Sequence, residues 1–231
     1  MSKFWKTDTE LFHLVKQKLF TALVGDVMDN MGLLHQFLPA DLKPLDSKIV
    51  VIGRAMPVLE ADVFEEELEN PKSSVVKKPF GLMFEALDQL QENEVYICTG
   101  ASANYALWGG LMSTRAIKLK AAGAVVNGFS RDTNEILRLN FPTFSTGTYA
   151  QDQGSRGEVI DYRIPIKWAG ITINPGDIIF GDRDGVIVVP KELEEEAFTK
   201  AFEKAMDEKL VLKALQQGMS TVDVFKKFGI M

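Results

Sequence analysis

The alternation of strand-like and helix-like runs from Phe80 to Leu139 constrains the fold of this chain more than any other feature. Apolar residues recur at helical spacing from Phe80 to Leu90, and Val95-Tyr96-Ile97-Cys98 then reads as a strand closing at Gly100. Trp108 to Ala122 has the pattern of a helix stopped by Gly123. Ala124-Val125-Val126-Asn127 reads as a buried strand, and Arg131 to Leu139 as another helix. Strands that alternate with helices in this way belong to α/β architectures, in which helices cover a sheet.

Past Pro142 the pattern changes to short strands. These are Thr143-Phe144-Ser145, Val159 to Ile166, Ile171-Thr172-Ile173, Ile178-Ile179-Phe180 and Val186-Ile187-Val188-Val189, with turns at Pro175-Gly176 and Asp184-Gly185. At the other end, Thr7 with Glu10 forms a capping box for an amphipathic helix, and a second helix runs from Thr21 to Gly32. Ile49-Val50-Val51-Ile52 reads as a strand ended by Gly53, and the acidic stretch Glu65 to Glu69 with Pro71-Lys72-Ser73-Ser74 as an exposed loop. Pro190 opens a long charged helix to about Gln217, and a short helix, Ser220 to Phe228, follows it. No repeat or linker interrupts the pattern, so residues 1–231 are read as one domain with one sizeable core.

The charge balance narrows the function. A net charge of −6, with no dense Lys/Arg cluster, disfavours direct binding of DNA or RNA. At 46% apolar and 25% charged residues, the chain lies outside the disordered and membrane classes. No apolar run approaches the ~20 residues that span a bilayer. The start, Met1-Ser2-Lys3-Phe4-Trp5-Lys6, lacks the apolar stretch of a signal peptide, so a cytoplasmic location is expected. Cys98 is the single cysteine, and His13 and His35 are the only histidines. A Cys- or His-rich metal site is thereby excluded within one chain, and a bound metal is expected to be Mg²⁺ or Mn²⁺ on oxygen ligands.

Two segments carry candidate chemistry. Gly109-Gly110-Leu111-Met112 opens a helix, where free backbone amides suit a carboxylate and the glycines allow close approach. Gly128-Phe129-Ser130-Arg131-Asp132 follows a strand, where ligands of α/β sheets gather. Arg131 can grip an anion or support an enolate oxygen, and Asp132 can supply one hard metal ligand. Structural readings stand beside these: Asp132 with Glu135 has the spacing of a helix-capping pair, Arg131 that of an exposed helix start, and Gly109-Gly110 that of a plain turn. No GxGxxG or GxxxxGK[ST] motif argues for a nucleotide. Gly181-Asp182-Arg183-Asp184-Gly185 reads as a tight hairpin with solvated acids, Glu194 to Glu196 as a solvated helix face, and the histidines receive no role.

The order of these motifs resembles the RraA-like family, which includes class II pyruvate aldolases and oxaloacetate decarboxylases. The resemblance runs from Thr21-Ala22-Leu23-Val24-Gly25-Asp26 through Ala124 to Asp132, Phe141-Pro142-Thr143-Phe144 and Pro175-Gly176-Asp177 to Asp182-Arg183-Asp184-Gly185 and Val186 to Pro190. It implies a three-layer β/β/α sandwich of the swivelling type, with C-terminal helices (about 190–228) packing on a neighbouring subunit of a trimer or dimer of trimers. It also implies divalent-metal-dependent cleavage of a C–C bond in a small 2-oxo acid, releasing pyruvate. Asp132 matches the family's metal ligand and Arg131 its substrate-binding arginine. Glu208 resembles a glutamate lent by the neighbouring subunit, which would position a metal-bound water for proton transfer. The family's remaining acid has Gly110 in its place here, which is expected to vacate space for a bulkier substrate or to leave decarboxylation as the retained reaction. Some relatives instead inhibit a ribonuclease complex by protein contact, and that non-catalytic role is the alternative. A methyltransferase label sometimes given to the family is disfavoured, because no nucleotide-type glycine loop follows the first strand.

Overall fold

A computed structural model describes residues 4–64, 69, 72 and 78–229. The chain divides into two compact units, residues 35–191 and residues 1–34 with 192–231. The loop read over 65–74 lies almost wholly outside the described residues.

The strands of the 35–191 unit are, in chain order, β1 (Lys43–Pro44), β2 (Val51–Asp62), β3 (Glu94–Thr99), β4 (Ala106–Trp108), β5 (Gly123–Val126), β6 (Phe129–Ser130) and β7 (Thr143–Ser145). They continue with β8 (Gly147–Thr148), β9 (Gly157–Tyr162), β10 (Ile166–Trp168), β11 (Ile171–Ile173), β12 (Ile178–Gly181) and β13 (Val186–Val189). The main sheet has the order β1-β7-β5-β3-β2-β12-β13. β2, β3, β5 and β7 form its parallel centre, and β12 is antiparallel to the first half of β2. β9 pairs antiparallel with the second half of β2, across a register shift at Leu59/Glu60. Gly53 lies inside β2 and does not end it. A Cβ there would stand 2.4 Å from the Asn93 carbonyl oxygen and 2.8 Å from the Ala122 Cβ, so this glycine answers to close packing.

Alternation along the central strands sends side chains to two cores. Tyr96, Cys98, Ala124 and Val126 join Met56 and Val58 on one face, under three helices: α3 (Met83–Asp88), α4 (Gly110–Lys118) and α5 (Thr133–Leu139). Val95, Ile97 and Val125 face the other way, onto Ile166, Trp168, Ile171 and Ile173 of the β10–β11 hairpin. Helices, sheet and hairpin are therefore the three layers, α, β and β. A separate three-stranded parallel sheet, β4-β6-β8, stands beside them.

Several boundaries differ from those read in the sequence. Ala106–Trp108 is a strand, and the helix after it begins only at Gly110. Short apolar runs such as Tyr105-Ala106-Leu107-Trp108, buried on all sides, carry no period that separates strand from helix. Arg131 and Asp132 precede α5 and are not part of it. The run from Val159 to Ile166 splits into β9 and β10 around Arg163, whose backbone is left-handed. The acidic Gly181 to Gly185 segment is the tight hairpin expected: the Asp182 amide donates to the Gly185 carbonyl at 3.0 Å, and the Asp184 amide to Asp182 Oδ1 at 2.9 Å.

The other unit is helical: α1 (Asp8–Lys18), α2 (Thr21–Asn30), α6 (Glu194–Gln216) and α7 (Thr221–Phe228). Thr7 caps α1 by accepting from the Glu10 amide, whereas the Glu10 carboxylate accepts from the Lys6 amide instead of closing the box. Leu23, Val24 and Met28 of α2 are buried, as are Phe198, Ala201 and Phe202 of α6, and Lys204 bridges to Asp26 at 2.5 Å. Val211, Ala214 and Val224 form a small cluster between α6 and α7. Among the described residues no helix is long and apolar enough to cross a membrane.

Candidate functional site

The small parallel sheet brings the two glycine- and charge-bearing segments together. β4 and β6 are parallel neighbours, so the residues that leave their carboxyl ends, Gly109-Gly110 and Arg131-Asp132, emerge side by side. The Arg131 amide donates to the Trp108 carbonyl at 2.9 Å and fixes this register. On the other side of β4, Ala106 bridges to Asp152 and its amide donates to the Gln151 carbonyl at 2.8 Å, which adds Asp152 and Gln153 to the site.

Asp132 adopts the left-handed conformation, φ +56°, which non-glycine residues occupy under local compulsion. That turn removes the reading of Asp132 as a cap of its own helix. The Asp132 side chain makes no cap on its own helix α5; its Oδ2 accepts from the Gly110 amide at 3.0 Å, across the site at the start of α4. The capping pair with Glu135 is therefore absent, and the carboxylate sits where a helix N-terminus favours negative charge. Gly109 must be glycine for this: a Cβ there would lie 2.9 Å from Asp132 Oδ2 and 3.4 Å from Arg131 Cγ. The amides of Leu111 and Met112, in the first turn of α4, have no intrahelical acceptor. Ser113 steadies that turn, accepting from the Trp108 indole at 2.8 Å and donating to the Gly109 carbonyl at 3.0 Å.

Arg131 is held by Asp152, Nη2 to Oδ1 at 3.0 Å, and both are partly exposed. Together they border a cavity of about 260 Å³ whose remaining walls include Phe80, Met83, Phe84, Trp108, Leu111 and Met112. Gln153 also lines it, and behind Gln153 lies Glu60, only 2% exposed. The Gln153 amide donates to Glu60 Oε2 at 2.8 Å, while Glu60 Oε1 and the buried Tyr96 hydroxyl face each other with no other hydrogen-bond partner among the described residues. Burial pushes the Glu60 carboxyl up to about 7, against the opposing pull of the Gln153 hydrogen bond.

Gly110 does not leave an empty space. A Cβ at 110 would meet Glu135 Cγ at 2.9 Å and Cβ at 3.2 Å, so the α5 glutamate already occupies the volume that the sequence reading left vacant. Glu135 also pairs with Arg138. Glu208 belongs to the helical unit, on α6, where its carboxylate is 3.8 Å from Lys204. Sequence reasoning thus found Gly109, Gly110, Leu111, Met112, Arg131 and Asp132, which the fold brings together. It missed Asp152, Gln153 and Glu60, although an acid inside the apolar run Val58-Leu59-Glu60-Ala61 was a signal for the last.

A left-handed turn at Asp132 facing a glycine-paired helix start, beside a cavity at strand carboxyl ends, defines an α/β protein with a candidate small-molecule site. The family is shown directly. Residues 21–188 match the RraA-like family model, described as Aldolase/RraA, and the chain belongs to that family. It is 30% identical over 205 residues, 89% of each chain, to a protein of Halalkalibacterium halodurans provisionally named a 4-hydroxy-4-methyl-2-oxoglutarate aldolase. It is 28% identical over 200 residues to protein DlpA of Legionella pneumophila, covering 86% of this chain but only 30% of that longer protein. Among solved structures, an uncharacterized protein from Pseudomonas syringae superposes with a TM-score of 0.83 at 22% identity, over 99% of this chain and 98% of that one. Streptomyces coelicolor RraAS2, an unusual member of the RNase ES inhibitor RraA family, does so with a TM-score of 0.73 at 23% identity, over 89% and 98%. At those identities the likeness concerns the fold, and it agrees with the three-layer architecture.

Proposed function

We propose that this chain is a divalent-metal-dependent carbon–carbon lyase that cleaves a small 2-oxo acid and releases pyruvate. The observation that carries the reading is the Arg131-Asp132 corner, built in a strained backbone and aimed at the start of α4 beside a cavity. The names of the aldolase relatives support it.

The donor chemistry fits Mg²⁺ or Mn²⁺. Among the described residues no group of three or more His, Cys, Asp or Glu could cage a metal. An ion that keeps its waters and binds through one or two carboxylates plus substrate oxygens needs no such cage, and Asp132 would hold it. When bound, the metal supplies the Lewis acidity that accepts the electron pair released on C–C cleavage. The chain's own residues do the rest. The Leu111 and Met112 amides take the substrate carboxylate, and Arg131, its guanidinium oriented by Asp152, supports the developing enolate oxygen. Glu208, lent by a neighbouring copy in a trimer or dimer of trimers, accepts the proton of the 4-hydroxyl group through water. The exposed Met206, Leu210, Leu212, Val222 and Phe225 on α6 and α7 support such an assembly. A cytoplasmic setting accords with a soluble oxo-acid substrate.

The test is pyruvate release from oxaloacetate and from 4-hydroxy-2-oxo acids, coupled to lactate dehydrogenase, with Mg²⁺ or Mn²⁺ and with EDTA. EDTA-sensitive release above the enzyme-free background is expected. A folded protein that releases none from any of them would sink the lyase reading and favour a binding role.

A further inference from the structure

The cavity beside Arg131 is sharply divided. Its charged and amide groups, Arg131, Asp132, Asp152 and Gln153, cluster with the Gly109 turn, whereas Phe80, Met83, Phe84, Trp108, Leu111 and Met112 supply the other lining. Arg131 is the one cation among the described lining residues, and Asp152 already engages it. One 2-oxo acid head, its carboxylate on the Leu111 and Met112 amides and its keto oxygen at Arg131, satisfies it. Among the described lining residues a second carboxylate would meet no further cation: the neighbouring Lys78 is paired with Glu85 and the Leu111 and Met112 amides serve the first carboxylate, so the second would lie against aromatic and thioether side chains, where an unpaired charge is strongly disfavoured.

The apolar wall is built, not incidental. Phe80 has a left-handed backbone, φ +68°, followed by Gly81 at φ +59°, where a Cβ would stand 2.4 Å from the Val159 carbonyl oxygen. This bend sets the Phe80 ring edge-on to Phe84, with centroids 5.5 Å apart. Trp108, 1% exposed, backs this wall from the core, packed against Tyr96 at 5.0 Å and a stacked Phe141 at 5.9 Å. Phe84, 56% exposed, forms the rim of this wall. An apolar cavity of about 150 Å³ admits benzene. The 260 Å³ here has room for a ring and for the oxo-acid head.

We infer that the site selects 2-oxo acids with one carboxylate and an apolar, ring-sized substituent, with the head at Arg131 and the substituent between Phe80, Phe84 and Met112. The inference rests on the lyase reading for its reaction. An aldol adduct of pyruvate with an aromatic aldehyde, such as 4-hydroxy-2-oxo-4-phenylbutanoate, meets the description. Its C3–C4 bond breaks, the 4-hydroxyl proton leaves and the aldehyde carbonyl forms. The bonding pair passes to the pyruvate enolate, which is protonated at C3 to give pyruvate. No oxidant or reductant is needed.

Two measurements separate the selectivity from the reaction. With Mg²⁺ present, calorimetry should show phenylpyruvate binding more tightly than 2-oxoglutarate by about tenfold or more, a ratio within reach of a few apolar contacts. Pyruvate release should favour the phenyl adduct over 4-hydroxy-4-methyl-2-oxoglutarate in kcat/KM by a similar factor. Phe84→Lys adds a second cation at a half-exposed position that should tolerate it, and should shrink or reverse both preferences. Equal or tighter binding of 2-oxoglutarate to the unmodified protein would overturn the inference. Preferential phenylpyruvate binding without turnover of either adduct would uphold the selectivity and overturn the lyase reading alone.

Discussion

Replacing Glu60 by Gln should stabilise this protein at neutral pH and above, and much less at pH 5. Glu60 is 2% exposed, and its carboxyl is raised from 4.5 to about 7 chiefly by burial. A raised folded-state value means that the native state holds a proton that the unfolded chain has released. Stability is therefore fully present below about 4.5 and is lost as pH rises through about 7. The difference corresponds to about 3 kcal/mol between pH 4 and pH 8. A glutamine in this place would carry no charge and could still accept from the Gln153 amide, which now donates to Glu60 Oε2 at 2.8 Å. Urea unfolding of both proteins at unit intervals from pH 5 to pH 8 isolates the effect, because the other titrating groups cancel in the difference. The gap should widen from just under about 1 kcal/mol at pH 5 to about 3 kcal/mol at pH 8 in favour of the Glu60→Gln variant. A gap that stays flat with pH, or a variant less stable at pH 8, would refute the reasoning.

Three further changes probe the site itself. Asp132→Ala should reduce pyruvate release by at least about two orders of magnitude and remove Mn²⁺ binding seen by electron paramagnetic resonance, while lowering stability only by the ~1 kcal/mol of a lost helix cap. Gly109→Ala should place its methyl group against the Asp132 carboxylate, with a stability loss of about 1–3 kcal/mol in thermal or urea unfolding and weaker Mn²⁺ binding; unaltered binding would show that the close approach is dispensable. Gly110→Asp alone should be destabilised by a similar ~1–3 kcal/mol through collision with Glu135, and Glu135→Ala in the same chain should recover most of it. Failure of that rescue would mean that Glu135 does not fill the space beside Gly110.

The α/β alternation was legible from local signals, whereas the three-layer arrangement came from the family resemblance. Val95 to Cys98 and Ala124 to Val126 are short, apolar and bounded by glycine, and they are the centre of the parallel sheet. The Arg131-Asp132 pair was noticed as a charged pair just after a strand, but it was read as the first turn of the helix that it in fact precedes. What the pair does to its surroundings was not legible. The capping reading of Asp132 assumed ordinary helix-start geometry, and the left-handed turn that sends the carboxylate to Gly110 depends on the neighbouring strand β4, whose last residue was read as the start of a helix. Asp152 and Gln153 escaped notice because they reach the site through a long-range bridge to Ala106, for which no local pattern exists. Glu60 was lost when Gly53 was taken as a strand end. With β2 extended to Asp62, an acid within it is conspicuous.

The bond from Gly110 to Asp132 has a use beyond holding two helix starts together. The Gly110 amide proton is donated to a carboxylate oxygen of the residue proposed to bind the metal. Its chemical shift and exchange rate will therefore respond to whatever else that carboxylate takes up. One backbone resonance, assigned in a labelled sample, becomes a built-in gauge of occupancy that needs no substrate, no turnover and no substitution anywhere in the chain.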